Sequence, residues 1–209
     1  AAVLTLSPVS HKKPSLIRDN LPDLLPALYG QTVVREDLIR IVDLGPFKHK
    51  IDDGLELRKA AFECMDMVMD QCASYVDYAV FVQHLESGLK DHYDVKMPCH
   101  SMLAKLAQRS PHTVLAHIEG IVPLLEKTLT AKLKSDAVKQ EVDRNDDMLR
   151  SCLRAVDAVA RIPSVDSNSS FSNFMKNVVQ AGPMAAKYQA VKEERQEAEV
   201  TAVRDRAAH

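Results

Sequence analysis

The chain of 209 residues has no tryptophan, and aromatic side chains make up only 5% of it. Leu, Val, Ala and Met are plentiful instead, a composition that favours packed helices over a sandwich or barrel. There are six glycines and neither a GxGxxG nor a GxxxxGK[ST] string, so a dinucleotide-binding or P-loop enzyme has no phosphate-cradling loop to work with. No serine sits in a GxSxG elbow. No apolar run approaches the roughly 20 residues needed to span a bilayer. The net charge of -2 gives no reason to expect nucleic acid or a membrane surface as partner.

Cysteine and histidine offer little chemistry either. Cys64, Cys72, Cys99 and Cys152 form no CxxC pair, and each lies among apolar residues in a helical pattern. That is the setting of buried, reduced thiols in a cytosolic or nuclear protein. A zinc site from Cys99, His100 and a distant cysteine, the basis of a metal-dependent enzyme, is disfavoured: adjacent residues diverge on a helix, and no paired spacing supports it. His112 and His117 are five apart, not the i, i+4 of a zinc-binding helix. His84 and His92 could share a face, but the sequence around His92 reads as a helix end. The histidines, His11 and His209 included, are expected in exposed or capping roles. Asp52-Asp53 and Asp146-Asp147 read as helix caps rather than acid/base dyads, and Ser7-Pro8 and Ser110-Pro111 as helix starts or turns. No catalytic residue, metal ligand or cofactor is expected.

What the chain does have is a repeat. Leu21–Tyr29, Phe81–Leu89 and Ile118–Leu125 each place apolar residues at helical spacing, with Pro26 and Pro123 at matching positions. They read as first helices of successive helix pairs. Leu57–Met69, Val95–Leu106 and Leu149–Val159 alternate with them. Each opens with a basic residue (Arg58, Lys96, Arg150) shortly after an aspartate (Asp53, Asp94, Asp147), an arrangement familiar in HEAT repeats. Ser87 and Pro123 stand about 36 residues apart, at or just below the ≈ 40–47 HEAT period, whereas Pro26 and Ser87 stand about 61 apart. The expected fold is therefore all-α, a fragment of a HEAT-repeat α-solenoid.

The excess of roughly 25 residues in the longer interval coincides with a different pattern. Leu38–Leu44 is rich in β-branched and aliphatic residues, Gly45-Pro46 is a turn signal, and Phe47–Ile51 alternates Phe, Lys, His, Lys, Ile. The spacing predicts one β-hairpin, about 37–52, projecting between the two helices of a repeat. Arg35, Arg40, Lys48 and Lys50 make it basic, which suits an acidic or mixed groove. If it projects, some of Ile39, Ile41, Leu44, Phe47 and Ile51 are exposed and mark an interface. If it folds flat, they are buried against its own repeat. The residues leave that choice open. A backbone-reading nucleic-acid role lacks an aromatic platform.

The expected organisation follows. Residues 1–14 are the second helix of a truncated repeat, 15–76 a repeat carrying the hairpin, and 77–110 a further repeat. Residues 111–163 form a repeat with a long charged inter-helix segment at 132–147. Residues 164–209 hold capping helices and a polar tail that from Lys192 could continue as a solvated helix but buries little and is expected to fray. With no initiator Met and no N-cap before Ala1, the chain is expected to be the C-terminal piece of something longer.

Three stretches carry a resemblance. Gly45–Cys64 (GPFKHKIDDGLELRKAAFEC), Gly88–Met97 (GLKDHYDVKM) and Ala137–Ser151 (AVKQEVDRNDDMLRS) closely resemble the C-terminal region of the cullin-associated neddylation-dissociated proteins. The similarity runs in order from about Ala1 to about Lys192, while Thr201–His209 departs from the family's usual end. The resemblance implies the last HEAT repeats and terminal capping domain of a larger solenoid. It implies a non-catalytic protein of cytoplasm and nucleus that wraps a cullin–RING complex lacking its ubiquitin-like modifier. Such a protein promotes exchange of substrate-receptor modules, with the hairpin occupying part of the adaptor's surface at the cullin N-terminal end. Carried onto this chain, the contacts are Ile41, Leu44, Pro46, Phe47 and His49, with Lys48 and Lys50 steering toward cullin acids. The alternative is a generic HEAT scaffold, of transport or phosphatase-adaptor type, binding other helical partners.

Overall fold

A computed structural model describes residues 18–45 and 47–207. The expected helix at 1–14, Ser7-Pro8, His11, Pro46 and His209 lie outside the described residues. Among those described there are nine α-helices and one two-stranded antiparallel sheet. This is an all-α, HEAT-type fragment interrupted by one hairpin. The chain divides into two compact units, residues 1–99 and 100–209.

In the first unit, α1 (Leu21–Gly30) begins with proline in its first turn and carries Pro26 inside, yet buries Leu21, Leu25, Leu28 and Tyr29 on one side. Strands β1 (Ile39–Leu44) and β2 (Phe47–Asp52) follow, then α2 (Leu55–Gln71) and α3 (Tyr78–Gly88). Helix α4 (Tyr93–Arg109) starts in this unit and ends in the second. Asp77 caps α3, accepting the N–H groups of Ala79 and Val80. The core is built from Phe62, Met65, Met69, Phe81, Leu85, Leu89, Val95 and Cys99, all buried. Gly88 lies at its tightest point. A Cβ there would clash with the Cys99 sulfur and stand 2.6 Å from the Phe62 ring.

The second unit continues α4 and adds α5 (Pro111–Ala116), α6 (Ile118–Leu129), α7 (Lys139–Ala160), α8 (Ser169–Phe174) and α9 (Gly182–Ala207). Helix α6 packs on α7 and α8, and α7 packs on α9. Ile121, Leu125, Leu153, Val156, Phe171 and Val179 fill the centre. Asn168 caps α8 by accepting the Phe171 N–H, and α8 runs on into a π turn over Met175–Val179.

Several expectations are corrected here. Asp52 and Asp53 are not the N-cap of α2; that residue is Gly54, and both aspartates are drawn instead to arginines, Asp52 to Arg58 and Asp53 to Arg40. Asp146 lies inside α7 and pairs with Lys187 on α9 at 2.7 Å. His100 is buried, with Nδ1 3.3 Å from the Ser151 hydroxyl, and His84 is half-buried. From Lys192 the chain continues as helix to Ala207, and Glu194, Arg195 and Glu199 find charged partners on α7 and at its end. All four cysteines are buried thiols, none of them in a disulfide.

Candidate functional site: the hairpin and its root

The hairpin register pairs Ile39 with Asp52, Arg40 with Ile51, Ile41 with Lys50, Val42 with His49, Asp43 with Lys48 and Leu44 with Phe47. Gly45 takes the first loop position with φ +65°, a left-handed backbone that strains any residue with a side chain. Strand alternation puts Ile39, Ile41 and Asp43 of β1 on one face with Lys48, Lys50 and Asp52 of β2. Ile41 is thus framed by Lys50 directly opposite and Lys48 on the diagonal. The other face carries Arg40, Val42, His49 and Ile51.

Ile41 is 68% exposed, Ile51 is partly exposed, and Lys48, His49 and Lys50 are exposed. Four of the six exposed large apolar side chains among the described residues of the first unit lie on or just before the hairpin: Val33, Val34, Ile41 and Ile51. At Ile41 and Ile51, therefore, the choice left open by sequence is decided: these side chains are not buried under the hairpin. Of the residues expected to make contacts, Ile41, Lys48, His49 and Lys50 lie exposed on the two strands, while Leu44 and Phe47 pair at the turn.

A lone two-stranded hairpin is marginal in water, so its root must be held. Arg40 Nε and Nη2 donate to Asp53 at 2.6 and 3.1 Å, and the Asp53 N–H donates to the Leu38 carbonyl at 3.0 Å. Below this, Arg58 of α2 is 2% exposed. Its Nη1 and Nη2 donate to Asp52 at 3.2 and 2.8 Å, and its Nε and Nη2 to Asp91 at 2.7 and 2.9 Å. One guanidinium thus ties the last residue of β2 to the loop between α3 and α4. The same hydrogen bonds hold the Asp52 carboxyl below the usual carboxylate range, while Asp91 and then Asp52 push the Arg58 guanidinium up against the opposing cost of burial. Gly54 makes room for the turn into α2: a Cβ there would stand 3.1 Å from Leu38 and 3.4 Å from the Arg58 guanidinium.

Sequence reasoning matched Arg58 with Asp53 and overlooked Asp91. The helix-end reading of the stretch at Asp91–Asp94 was the available signal, since a loop acidic residue is what a buried arginine on a neighbouring helix requires. A second contact was also missed. The Tyr29 and His84 rings stack at 4.5 Å, and His84 Nδ1 lies 2.9 Å from the Thr32 hydroxyl, which donates to the Tyr29 carbonyl. Among the described residues no group of three or more His, Cys, Asp or Glu could hold a metal ion, and no helix is long and apolar enough to cross a membrane.

These features define a helix-pair protein with a charged, partly apolar hairpin as its most distinctive outward element. The chain belongs to the TIP120 family, described as TATA-binding protein interacting (TIP20), whose model matches residues 16–179. It is 51% identical over 93% of its length to cullin-associated NEDD8-dissociated protein 1 of Arabidopsis thaliana, and 43% identical over 91% to the protein of that name from Dictyostelium discoideum. It is 44% identical over 88% to cullin-associated NEDD8-dissociated protein 2 of Rattus norvegicus. The resemblance read from Gly45–Cys64, Gly88–Met97 and Ala137–Ser151 is thereby borne out. The chain spans only 16%, 16% and 14% of the length of these three relatives.

Proposed function

We propose that this region binds a cullin, as part of a non-catalytic exchange factor acting on cullin–RING ligases in cytoplasm and nucleus. In this reading the hairpin enters the adaptor's site at the N-terminal end of a cullin that lacks its ubiquitin-like modifier. Ile41, Leu44, Pro46, Phe47 and His49 make contact, and Lys48 and Lys50 steer toward cullin carboxylates. The carrying observation is Ile41, exposed between two lysines on a hairpin anchored through a buried arginine. The names of the relatives supply the partner.

The mechanism is linkage. Two ligands that overlap on one cullin weaken each other by the same factor, and a coupling of about 1–3 kcal/mol changes either affinity 5- to 150-fold. A short-lived ternary complex then speeds release of whichever partner is gripped less. A hairpin can let go locally while the rest of a long protein keeps hold, because re-engagement is intramolecular.

The test is a titration of unmodified and modified cullin–RING complexes with the full-length protein carrying this region. Wild type is expected to prefer the unmodified complex. Ile41→Asp is expected to weaken binding without lowering stability, since Ile41 is already exposed. Equal binding of both cullin forms, or no effect of Ile41→Asp, contradicts the reading.

A further inference from the structure

The last helix is held by two different forces along its length. Tyr188 and Val191 are its buried side chains, and none of the described side chains from Lys192 onward is buried. Beyond Val191 the attachment is ionic. Glu194 accepts from Arg154 at 2.8 Å, Arg195 Nε lies 2.8 Å from Asp157, and Arg161 Nη1 lies 3.4 Å from Glu199. Asp157 is the buried centre of this belt, with Arg161 Nε at 3.7 Å. Its charge, with burial the larger cause, pushes the Tyr188 hydroxyl up to about 12.

Beneath the belt is an open cavity of ≈ 330 Å³ bordered by Ala104 of α4, Ala158 of α7, and Val191 and Ala198 of α9. The rest of its lining is polar or charged, including the Arg154, Asp157, Glu194 and Arg195 of the belt itself, so the far half of α9 meets this floor mainly through ion pairs. Arg195–Glu199 is a pair within α9 at i, i+4. Such pairs support a helix only weakly, and a segment of this length is marginal on its own.

We propose that Lys192–Ala207 is a charge-latched arm. It melts away from α4 and α7 when its pairs to Arg154, Asp157 and Arg161 are screened or broken, and this uncovers the floor at Ala104 and Ala158. Gly182–Val191 stays docked through Tyr188 and Val191. The arm is a local unfolding unit, drawn from the low-stability end of the structure, and its state is read out as access to that floor.

Hydrogen exchange by mass spectrometry on the full-length protein tests this. Raising NaCl from about 0.1 M to about 1 M shortens the screening length from ≈ 10 to ≈ 3 Å. Amides of 195–207 are expected to lose roughly tenfold or more of their protection, while those of 184–191 keep theirs. Glu194→Gln with Glu199→Gln, both exposed sites, is expected to produce the loss already at low salt. The reciprocal exchange Arg154→Glu with Glu194→Arg is expected to restore protection that either change alone removes. Salt-independent protection of 195–207, or loss of both halves of α9 together, overturns the proposal. So does full protection in the double glutamine variant.

Discussion

Arg58 and Asp91, 33 positions apart, hold each other through two hydrogen bonds of 2.7 and 2.9 Å, and both side chains are nearly fully buried. Because the same guanidinium also grips Asp52, the only strand pair among the described residues is tied to a helix-connecting loop. Arg58→Met leaves two carboxylates facing each other with no cation between them. Breaking a buried pair in this way costs about 3–5 kcal/mol. Arg40→Met removes an exposed pair with Asp53, which solvent screens, and is expected to cost far less. Urea denaturation of the chain separates the two; similar costs would show that the root is not where the hairpin is held.

Acid is expected to weaken the first unit in two steps. Burial holds His84 below the ordinary imidazole range, so the folded state binds fewer protons there than the unfolded chain. Stability is then complete above about pH 6.5 and falls as the pH drops from there through the folded value. Asp52 behaves likewise in the acid range, its contribution present above about pH 4 and lost as the pH falls through its lowered value. Thermal melting of wild type and His84→Gln at pH 7.5 and 5.5 checks the first step. The variant should show a smaller drop; equal drops would count against it.

Two glycines give opposite results when changed to alanine. At Gly88 a methyl group meets the Phe62 ring and the Cys99 sulfur. Overpacking costs about 1–3 kcal/mol, more than the up to about 1 kcal/mol that alanine gains in helix propensity. Gly30, at the end of α1, has open space around the position a methyl group would take, with nothing within 4 Å. The change there stabilises by about 0.4–1 kcal/mol through the unfolded chain. Denaturation midpoints of the two variants should move in opposite directions.

Much of this architecture was legible because helical periodicity survives punctuation. Pro26 and Pro123 sit inside helices and did not hide the apolar spacing of Leu21–Leu28 or Ile118–Leu125. The hairpin was legible from Gly45-Pro46 between β-rich runs. Ion-pair partners were not, because a buried arginine chooses among carboxylates by three-dimensional reach: Arg58 passes over Asp53 for Asp52 and the distant Asp91. The attachment of the end of α9 was hidden for the same reason. Its polar sequence reads as solvated until Arg154, Asp157 and Arg161 are seen beside it. Exposure of Ile41 could not be read from alternation, which is the same for a hairpin that projects and one that lies flat.

If Lys48 and Lys50 steer the hairpin, Lys48→Glu with Lys50→Glu should act mainly on the association rate with an unmodified cullin–RING complex. Rim charges change encounter more than residence. The variant should associate more slowly at low salt and converge on wild type as salt rises. A changed dissociation rate with unchanged association would place the lysines inside the contact instead.

The most direct test of the central claim is adaptor release. A preformed, unmodified cullin–RING complex carrying a labelled adaptor is mixed with the full-length protein, either wild type or with Ile41, Leu44, Phe47 and His49 changed to alanine. Wild type should raise the adaptor's dissociation rate, and the variant should still bind the cullin yet leave that rate near its unassisted value. Equal acceleration by both would contradict a displacing role for the hairpin, and binding by neither would contradict the cullin as partner.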